Sequence, residues 1–379
     1  MFQTKLPKAG TTIFTIMSKL AADHGAINLS QGFPDFDTDP KLIKTVTSAM
    51  EKGFNQYAPM QGLLSLRETI ASKMSKSYGV KYNPETEINI TSGGTEAIYA
   101  AITAFVKEGD EVIIFTPAYD CYDPSITLNG GKTVFVELKF PDFSIDWKEV
   151  KKRINRKTRM IILNNPHNPS GAILSKADLK ELEKLTKNTD ILILSDEVYE
   201  HIIFEQQKHQ SVCLFPGLAE RSIIVYSFGK MFHITGWKMG YVLAPANIMA
   251  EFRKAHQFIV FSSHTPSQVA FQEYLNDETK YLELGSFYQE KRDYFLKGLK
   301  GSKFKITPSA GTYFQLLDYS GITNEKDTEY AIRLTKENKI ASIPVSVFYN
   351  KEIDNKVLRF CFAKKKETLD KALEILQKI

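Results

Sequence analysis

The stretch from Ser227 to Gly240 contains a lysine in a setting where an amine could do chemistry. It reads Ser-Phe-Gly-Lys-Met-Phe-His-Ile-Thr-Gly-Trp-Lys-Met-Gly and follows the apolar, β-branched run 222–226, so Lys230 should emerge where a buried strand ends. Lysine is seldom buried without a partner, and a solvated lysine is not usually framed by glycines and a tryptophan. The chemistry that fits is an amine that forms a Schiff base with a carbonyl cofactor. Taken alone, however, this segment is explained more simply by a surface lysine after a strand.

Two glycine-rich or proline-rich segments precede this lysine and also follow apolar runs. In Thr91-Ser-Gly-Gly-Thr-Glu-Ala97, small residues lead directly into a helical pattern. Free backbone N–H groups at such a helix start, together with the positive end of the helix dipole, suit a phosphate, although an N-cap by Thr95 explains the same residues. In Leu163-Asn-Asn-Pro-His-Asn-Pro-Ser-Gly171, two Asn-Pro turns could hold the Asn168 amide rigidly, while His167 receives no role.

A third segment, Ile191-Leu-Ile-Leu-Ser-Asp-Glu-Val-Tyr-Glu200, is an apolar run that ends in two acids and a tyrosine. In nucleotide hydrolases an acid in this position handles magnesium, but that function also needs a GxxxxGK[ST] loop. The nearest approach is Gly131-Lys132-Thr133, where Ile126 occupies the position of the first glycine. The GxGxxG fingerprint of dinucleotide-binding proteins is also missing from the predicted strand-to-helix turns. Both classes are therefore disfavoured by spacing.

The composition narrows the remaining classes. Of 379 residues, 43% are hydrophobic and 25% are charged, and the net charge of +5 comes from interspersed residues of both signs. That balance predicts no nucleic-acid partner. The three cysteines are far apart and form no CxxC pair, so we expect neither a disulfide framework nor a metal site. No apolar run approaches membrane length and residues 1–14 have no leader pattern, which favours a cytoplasmic protein without membrane contact.

The elements that must position these segments alternate in type. We expect residues 1–38 to be an irregular arm, followed by helices over 41–52 and 63–78. From residue 87, short apolar strands alternate with helical patterns, which predicts an α/β protein with a mainly parallel sheet covered by helices on both faces. Functional groups then belong on the loops that leave the carboxyl ends of the strands. The predicted strands are 88–91, 112–116, 133–138, 160–164, 191–195, 222–226 and 241–244, with helices over 96–106 and 176–186 between several of them.

The pattern changes again after Pro245. Long helical segments over 249–261 and 286–299 precede a smaller α+β section with strands over 311–317 and 357–362 and a last helix over 367–377. A chain of this length suggests one large domain and a smaller one. We therefore predict an N-terminal arm over 1–38 that is part of the small domain, a large cofactor-binding domain over 39–285 and a small C-terminal α+β domain over 286–379.

In this order and at these distances, the four segments resemble the fold-type I pyridoxal-phosphate enzymes of the aminotransferase class I/II family. The resemblance extends from Asn28-Leu-Ser-Gln-Gly-Phe-Pro-Asp-Phe36 to Leu358-Arg-Phe-Cys-Phe362. Within the family it is strongest to the branch that contains bacterial methionine aminotransferase and animal kynurenine/glutamine aminotransferase. The segments that carry this similarity are Gln31-Gly-Phe-Pro-Asp-Phe36, Asn55-Gln-Tyr57, Asp196-Glu-Val-Tyr199, Gly236-Trp-Lys-Met-Gly240 and Ile343-Pro-Val-Ser-Val-Phe348.

The resemblance implies a catalytic centre built around pyridoxal 5′-phosphate. Lys230 would hold the cofactor as an aldimine and then carry the proton from the substrate Cα. Asp196 would keep the pyridine nitrogen protonated, so that the ring acts as an electron sink. Tyr199 and Asn168 would hydrogen-bond the 3-oxygen of the ring, and Tyr119 would stack on it.

The same resemblance implies how the phosphate is held. Backbone N–H groups of Gly94 and Thr95 would bind it, with a hydroxyl from Ser227 and a charge from Lys238, where many relatives have arginine. Tyr57 would contact the phosphate from the neighbouring subunit, so a homodimer with shared active sites is expected.

The implied substrates are an amino acid and a 2-oxo acid. Arg359 would grip the α-carboxylate, with Asn168 beside it and the backbone of Gly32 close above it. A water-facing arginine on an edge strand is the alternative reading of Arg359. Phe14, Tyr57 and Phe261 match the side-chain pocket and suggest an apolar or aromatic substrate, which puts methionine first.

Other functions stay open on the sequence. Kynurenine, glutamine and aromatic amino acids are alternative substrates, and β-elimination from cysteine conjugates is an alternative reaction. A non-catalytic pyridoxal-phosphate module, such as the effector domain of a transcription regulator, is an alternative from another class. That module would need an attached DNA-binding segment, and the arm before Gly32 is too short for a helix-turn-helix domain.

Overall fold

The apolar runs of the sequence form most of the strands of a seven-stranded sheet. The computed structural model describes residues 4–7 and 9–379. The strands are β1 (Ile27–Asn28), β2 (Ile88–Thr91), β3 (Glu111–Thr116), β4 (Lys132–Glu137), β5 (Thr158–Asn164), β6 (Leu192–Asp196), β7 (Ser222–Ser227), β8 (Gly240–Leu243), β9 (Lys305–Ile306), β10 (Phe314–Asp318), β11 (Ile340–Ala341), β12 (Ile343–Pro344) and β13 (Val357–Cys361).

Helices precede, separate and follow these strands. They are α1 (Ile13–Asp23), α2 (Pro40–Glu51), α3 (Leu64–Tyr78), α4 (Gly93–Phe105), α5 (Tyr122–Leu128), α6 (Trp147–Arg153), α7 (Lys176–Thr186), α8 (Pro216–Ala219), α9 (Phe228–Met231), α10 (Ala246–Ile259), α11 (Thr265–Tyr274), α12 (Thr279–Leu282), α13 (Leu284–Gly298), α14 (Asp327–Glu337) and α15 (Lys366–Leu376). Short 3₁₀ turns occur at Val212–Leu214, Thr235–Trp237 and Ser346–Phe348.

The seven-stranded sheet has the order β2-β8-β7-β6-β5-β3-β4 within the described part of the chain. Only β8 runs against its neighbours, so the expectation of a mainly parallel α/β sheet is confirmed. In the register, Asn164 at the end of β5 lies opposite Asp196 at the end of β6, and Ser227 at the end of β7 lies opposite Gly240. The segments singled out in the sequence therefore leave the sheet at one edge.

Each face of the large sheet contributes to a different hydrophobic cluster. On β3, Ile113 belongs to one cluster, whereas Val112 and Ile114 belong to the other. Successive side chains of a strand point to opposite faces, so a strand buried on both sides reads as a continuous apolar run. For this reason, the apolar runs in the sequence predicted the strands of the large sheet.

The expectation of an irregular N-terminal arm is wrong over much of residues 4–7 and 9–38. Helix α1 begins after Thr12, whose hydroxyl accepts a hydrogen bond from the Thr15 amide at 3.3 Å. Met17 and Ala21, four residues apart, are buried on one face of this helix. Strand β1 then pairs in parallel with β11. Residues 1–3 and 8 of the predicted arm lie outside the described residues.

A smaller antiparallel sheet follows the long helices, in the order β12-β13-β10-β9. Its residues agree with the predicted α+β section, although the strand predicted from residue 311 begins at Phe314 and the short strand β9 before it was not predicted. The predicted domain boundary at residue 285 falls in the first turn of α13, and the division into domains stays a prediction. Among the described residues, no helix has the length and apolar character to span a membrane.

Candidate functional site

Most of the predicted site residues line one cavity of about 230 Å³. It lies where the ends of β5, β6 and β7 face the start of α4, the N-terminal segment and the small sheet. The predicted residues in its wall are Phe14, Gly32, Gly94, Thr95, Tyr119, Asn168, Asp196, Tyr199, Ser227, Lys230, Lys238 and Arg359. Tyr57 and Phe261 are not in its wall.

The start of α4 presents backbone donors to this cavity. The helix begins at Gly93, which makes Thr95 its third residue, so the reading of Thr95 as an N-cap is wrong. Ser92 caps the helix without a side-chain hydrogen bond. The first N–H groups of a helix have no partner inside it, and an anion is the usual ligand where they point into a cavity. Gly94 also allows close packing, because a Cβ there would lie 3.1 Å from Val198 Cγ1.

Lys230 lies in the short helix α9, directly after β7. Its Nζ donates to the Tyr313 hydroxyl at 2.7 Å and lies 3.4 Å from the Gly32 carbonyl oxygen. The same nitrogen lies 5.3 Å from the centre of the Tyr199 ring. Removal of the amine from bulk water lowers the pKa of Lys230 to about 8. The neutral, nucleophilic amine is therefore a minor but usable fraction near neutral pH, and that fraction grows as the pH approaches 8.

Asp196 ends β6 and is buried. Its Oδ2 accepts a hydrogen bond from the Tyr122 hydroxyl at 2.6 Å, and its Oδ1 accepts one from the Val198 amide at 3.3 Å. Burial raises the pKa of Asp196 to about 6, and these two hydrogen bonds limit the rise. The carboxylate is thus ionised at neutral pH and can face a positive charge in the cavity.

Arg359 is buried in the middle of the small sheet, so the alternative of a water-facing edge residue is wrong. Its Nη1 donates to Asn168 Oδ1 at 2.7 Å and its Nη2 donates to the Ser30 carbonyl at 2.9 Å. Its Nε is buried without a partner among the described residues. A buried guanidinium with unused donor capacity is suited to a carboxylate.

Aromatic rings surround the same guanidinium. The Arg359 Cζ lies 3.9 Å from the ring centre of Phe314, 5.3 Å from that of Phe14 and 5.8 Å from that of Phe348. Gly32 is needed beside Phe314, since a Cβ at Gly32 would lie 2.7 Å from Phe314 Cζ. The cavity therefore combines a positive charge with apolar walls.

The remaining predicted residues in the wall are held by their backbones and by packing. Asn168 donates its backbone N–H to Asn164 Oδ1 at 2.8 Å. Lys238 adopts a left-handed conformation with φ of 55°, which a lysine rarely adopts and which ends the preceding 3₁₀ turn. Burial raises the pKa of both Tyr119 and Tyr199, so both hydroxyls stay neutral and can donate.

Tyr57 and Phe261 lie together on the surface instead. Tyr57 is 80% exposed, and its ring meets that of Phe261 edge to face at 5.2 Å. Phe258, nearby in the chain, is 90% exposed. An exposed cluster of large aromatic side chains is typical of a protein interface.

The sequence reasoning missed three residues that touch the predicted site. Tyr122 bonds to Asp196, Tyr313 bonds to Lys230, and Phe314 stacks on Arg359. Tyr122 lies three residues after Tyr119, and that spacing could have indicated that Tyr122 also lies near the site. Tyr313 and Phe314 looked like ordinary strand residues, since their partners are far away in the chain.

His167, which received no role, has a structural one. Its Nδ1 is 2.6 Å from the Ser170 hydroxyl and its Nε2 is 3.0 Å from the Pro117 carbonyl. Burial lowers the pKa of His167 to about 4, so the ring stays neutral. It joins the loop after β5 to the loop after β3.

Comparisons with known proteins find relatives along the whole chain. Methionine aminotransferase from Escherichia coli (strain K12) is 48% identical over 378 residues, covering 100% of this chain and 98% of the relative. Kynurenine–oxoglutarate transaminase from Dictyostelium discoideum is 36% identical over 98% of this chain and 94% of its own. The crystal structure of YbdL from Escherichia coli, which identifies a methionine aminotransferase function, matches with a TM-score of 0.98, 48% identity and full coverage of both chains.

A family model agrees with these individual relatives. The model for aminotransferase class I and II matches residues 24–376. The predicted fold of pyridoxal-phosphate enzymes of fold type I and the predicted transaminase activity are thus confirmed. The chain belongs to the aminotransferase class I and II family.

Proposed function

We propose that this aminotransferase moves the amino group of an apolar or sulfur-containing L-amino acid, with methionine first, to a 2-oxo acid by a ping-pong mechanism. The observation that carries the proposal is one cavity whose wall contains the amine of Lys230, the carboxylate of Asp196 and the guanidinium of Arg359. Pyridoxal phosphate, when bound, supplies a carbonyl that carries the amino group between the two half-reactions and a ring that withdraws electrons from the substrate Cα.

The residues in the wall fit that cofactor. The start of α4 at Gly94 and Thr95, whose cap Ser92 makes no side-chain hydrogen bond, offers backbone N–H donors for a phosphate. Ser227 and Lys238 in the same cavity wall add a hydroxyl and an ammonium donor. Asp196 offers an anionic acceptor for a protonated ring nitrogen. Tyr199 and Asn168 offer donors for a ring oxygen, and Tyr119 offers an aromatic face.

Lys230 is the proposed attachment residue and base. Its pKa of about 8 leaves neutral amine available for Schiff-base formation near neutral pH. As a free amine, Lys230 Nζ would take the proton from the substrate Cα. A group whose pKa lies near the working pH suits this task, because it both accepts and releases the proton.

Arg359 is the proposed anchor for the substrate α-carboxylate. Asn168 and Ser30 fix two of its nitrogens, so the guanidinium is oriented before the substrate arrives. Fixing one end of the substrate places its Cα toward Lys230 in the same cavity.

The apolar walls support an uncharged substrate side chain. Phe14 and Phe314 line the cavity, and Phe348 packs against Phe14 with ring centres 5.8 Å apart. Thioether sulfur contacts aromatic rings favourably, which supports methionine. The relatives named for methionine, at 48% identity, and for kynurenine, at 36%, support methionine first and kynurenine next. Glutamine and aromatic amino acids are further alternatives.

A homodimer with shared sites is part of the proposal. Tyr57 and Phe261 match family positions at the active site, yet in this chain they lie together on the surface rather than in the cavity wall. A second copy of the chain that covers this surface would receive both residues.

The test is a titration of the purified enzyme, loaded with pyridoxal phosphate, with single amino acids and no 2-oxo acid. Each amino acid should convert the bound cofactor to its amino form in a single turnover, which changes the visible absorbance. We expect this change to be fastest with methionine. Lys230→Ala should abolish the conversion, while Lys254→Ala, which alters an exposed lysine, should not. If no cofactor absorbance appears after pyridoxal phosphate is added, Lys230 does not have the proposed central role.

Two outcomes of this titration would change the proposed substrate or the proposed reaction. Faster conversion by kynurenine, glutamine or an aromatic amino acid than by methionine would put that amino acid first. An S-substituted cysteine that releases its thiol at each turnover would instead reveal β-elimination, since loss of the same Cα proton starts both reactions.

A further inference from the structure

Tyr313 lies between the proposed catalytic lysine and the N-terminal segment. It immediately precedes β10 and is fully buried. Its hydroxyl oxygen is 2.7 Å from Lys230 Nζ and 2.5 Å from the Gly32 carbonyl oxygen. These contacts join residues that are 83 and 281 positions away from Tyr313 in the chain.

The protons in this cluster can be placed by counting donors. The Gly32 carbonyl carries no proton, so the single hydroxyl proton of Tyr313 is donated to it. The hydroxyl oxygen must then accept its second hydrogen bond from Lys230 Nζ. Tyr313 is therefore an acceptor for the lysine, and acceptors stabilise the ammonium form.

The backbone before Tyr313 is held in an unfavourable conformation. Thr312 has φ of 64°, in the left-handed region that β-branched residues avoid. Its amide donates to the Ile202 carbonyl at 2.9 Å, and its hydroxyl accepts from the Phe314 amide at 3.2 Å. Strain of this kind persists only where the surroundings impose it and is concentrated at functional sites. Here it fixes the direction in which Tyr313 points.

Other ionisable groups face Lys230 from the elements packed around it. They are Asp196 and Tyr199 at and after the end of β6, Arg359 and Cys361 on β13, and Lys238 before β8. Among the described residues, the hydrogen-bond partners of Nζ are Tyr313 and the Gly32 carbonyl. Tyr313 is thus the side chain that decides where the free amine rests.

We infer that Tyr313 is a positioning residue that holds the free ammonium group of Lys230 against the Gly32 segment of the active site. The inference rests on the proposed function of Lys230. When Nζ takes the proton from the substrate Cα, the electrons of the broken C–H bond stay with the carbon and Nζ becomes an ammonium. Tyr313 then accepts a hydrogen bond from that ammonium and keeps it in the cavity until the proton is released.

The first test measures the lysine without catalysis. Cofactor-free enzyme is labelled with a trace of acetic anhydride across a pH series, and the acetylation of Lys230 is measured by mass spectrometry. The wild-type rate should rise with a midpoint near the lysine pKa of about 8. Tyr313→Phe should lower the midpoint by about one pH unit, because an acceptor for the charged form is lost.

Tyr288→Phe is the matched control. Tyr288 is also buried, its ring lies 5.6 Å from that of Tyr313, and its hydroxyl contacts His233 Nδ1 at 2.8 Å rather than Lys230. It loses the same atom and should leave the Lys230 midpoint unchanged. Circular dichroism and thermal melting establish that both variants fold. Should Tyr313→Phe not fold, 3-fluorotyrosine at position 313 retains the shape, weakens the acceptor and should lower the midpoint by a smaller amount.

The second test measures the half-reaction of the loaded enzyme. Tyr313→Phe should slow the single-turnover conversion of the cofactor by methionine about 10-fold, the rate equivalent of one lost hydrogen bond of this kind. An unchanged Lys230 midpoint with only a raised KM would overturn the inference, since Tyr313 would then merely support the Gly32 segment. Failure of the wild-type enzyme to form a Schiff base would refute the proposed function instead, and the labelling result would not depend on it.

Discussion

At the scale of single residues, burial shifts the pKa of the two central groups in opposite directions. It lowers the pKa of Lys230 to about 8 and raises the pKa of Asp196 to about 6. Both shifts come from removing the charged form from water. At pH values between these two pKa values, the carboxylate is mostly ionised. The neutral fraction of the amine increases as the pH approaches 8. Groups tuned toward neutral pH in one cavity are typical of an active site.

The hydroxyl of Tyr122 should set the acid limit of activity. Tyr122→Phe removes the donor 2.6 Å from Asp196 Oδ2, so the pKa of Asp196 should rise by about one unit. A protonated Asp196 cannot balance a positive ring nitrogen, so the acid limb of the pH profile of kcat/KM should move upward. Tyr319→Phe, which alters a buried tyrosine bonded to the Glu325 carbonyl, is the control. Identical profiles for Tyr122→Phe and wild type would contradict this role.

The planar fork of Arg359 should matter more than its charge. Arg359→Lys retains the charge but loses the paired bonds to Asn168 and Ser30, so kcat/KM for methionine should fall about 100-fold, as expected for about 2–3 kcal/mol. Arg333→Lys, at a partly exposed pair with Glu325, is the matched control and should keep its activity. The measurement is steady-state kinetics with methionine. Equal kcat/KM values for Arg359→Lys and wild type would show that Arg359 does not bind the carboxylate.

At the scale of elements, the site is made where strands end and helices begin. Strands β5 and β6 end opposite each other at Asn164 and Asp196, and β7 continues past that level to Ser227, so each contributes a polar residue to the same edge. Helix α3 supports this edge from behind, where Lys73 Nζ lies 2.6 Å from Glu200 Oε1. Both side chains are almost fully buried, at 1% and 3% exposure. This ion pair joins α3 to the loop that follows Asp196 and carries Tyr199.

Loss of one partner of this pair should strongly destabilise the fold. Lys73→Met leaves the Glu200 carboxylate buried without its cation, which costs about 3–5 kcal/mol. The free energy of unfolding in urea should fall by that amount. The double variant Lys73→Met/Glu200→Gln should recover part of it, because no buried charge is left alone. Lys76→Met, which removes the exposed partner of Glu278, should change stability by less than about 1 kcal/mol.

At the scale of the whole molecule, one chain does not bring every predicted site residue to its cavity. Tyr57 and Phe261 are on the surface and form an exposed aromatic patch with Phe258 nearby in the chain. The cavity and this patch make one functional unit only if two chains associate. The proposed dimer therefore has a direct consequence for activity.

Mixed dimers should recover activity that neither parent has. Tyr57→Phe should weaken cofactor binding, and Lys230→Ala should be inactive. At a limiting pyridoxal phosphate concentration, co-expression of the two variants should restore about a quarter of wild-type activity, because random pairing gives half of the chains a mixed partner and one intact site per mixed dimer. In the control co-expression, Tyr349→Phe replaces Tyr57→Phe. Tyr349 is a tyrosine whose hydroxyl is bonded to Asn355. A mixture no more active than its parents would refute the shared site.

Local patterns in the sequence were enough to predict most strands of the large sheet. Strands buried on both faces read as unbroken apolar runs, and β2 was predicted with its observed bounds, Ile88–Thr91. Helix α7 was also predicted with its observed bounds, since Ser175 caps it and its apolar face is regular. The residues proposed for the site could be named because their motifs, several of them at strand ends, resemble those of a known family. These features depend on neighbours in the chain, which a sequence displays directly.

Tertiary packing decided what depends on distant neighbours. The N-terminal helix α1 was missed, and the small strands β1 and β11 pair only because residues about 300 positions apart meet. Tyr122, Tyr313 and Phe314 also contact site residues that lie outside their own segments, so their roles could not be predicted from those segments alone. The pKa values of Lys230 and Asp196 likewise depend on how far packing excludes water. Residue types and spacing determined which chemistry is available to this protein, and the folded chain decided which groups meet to perform it.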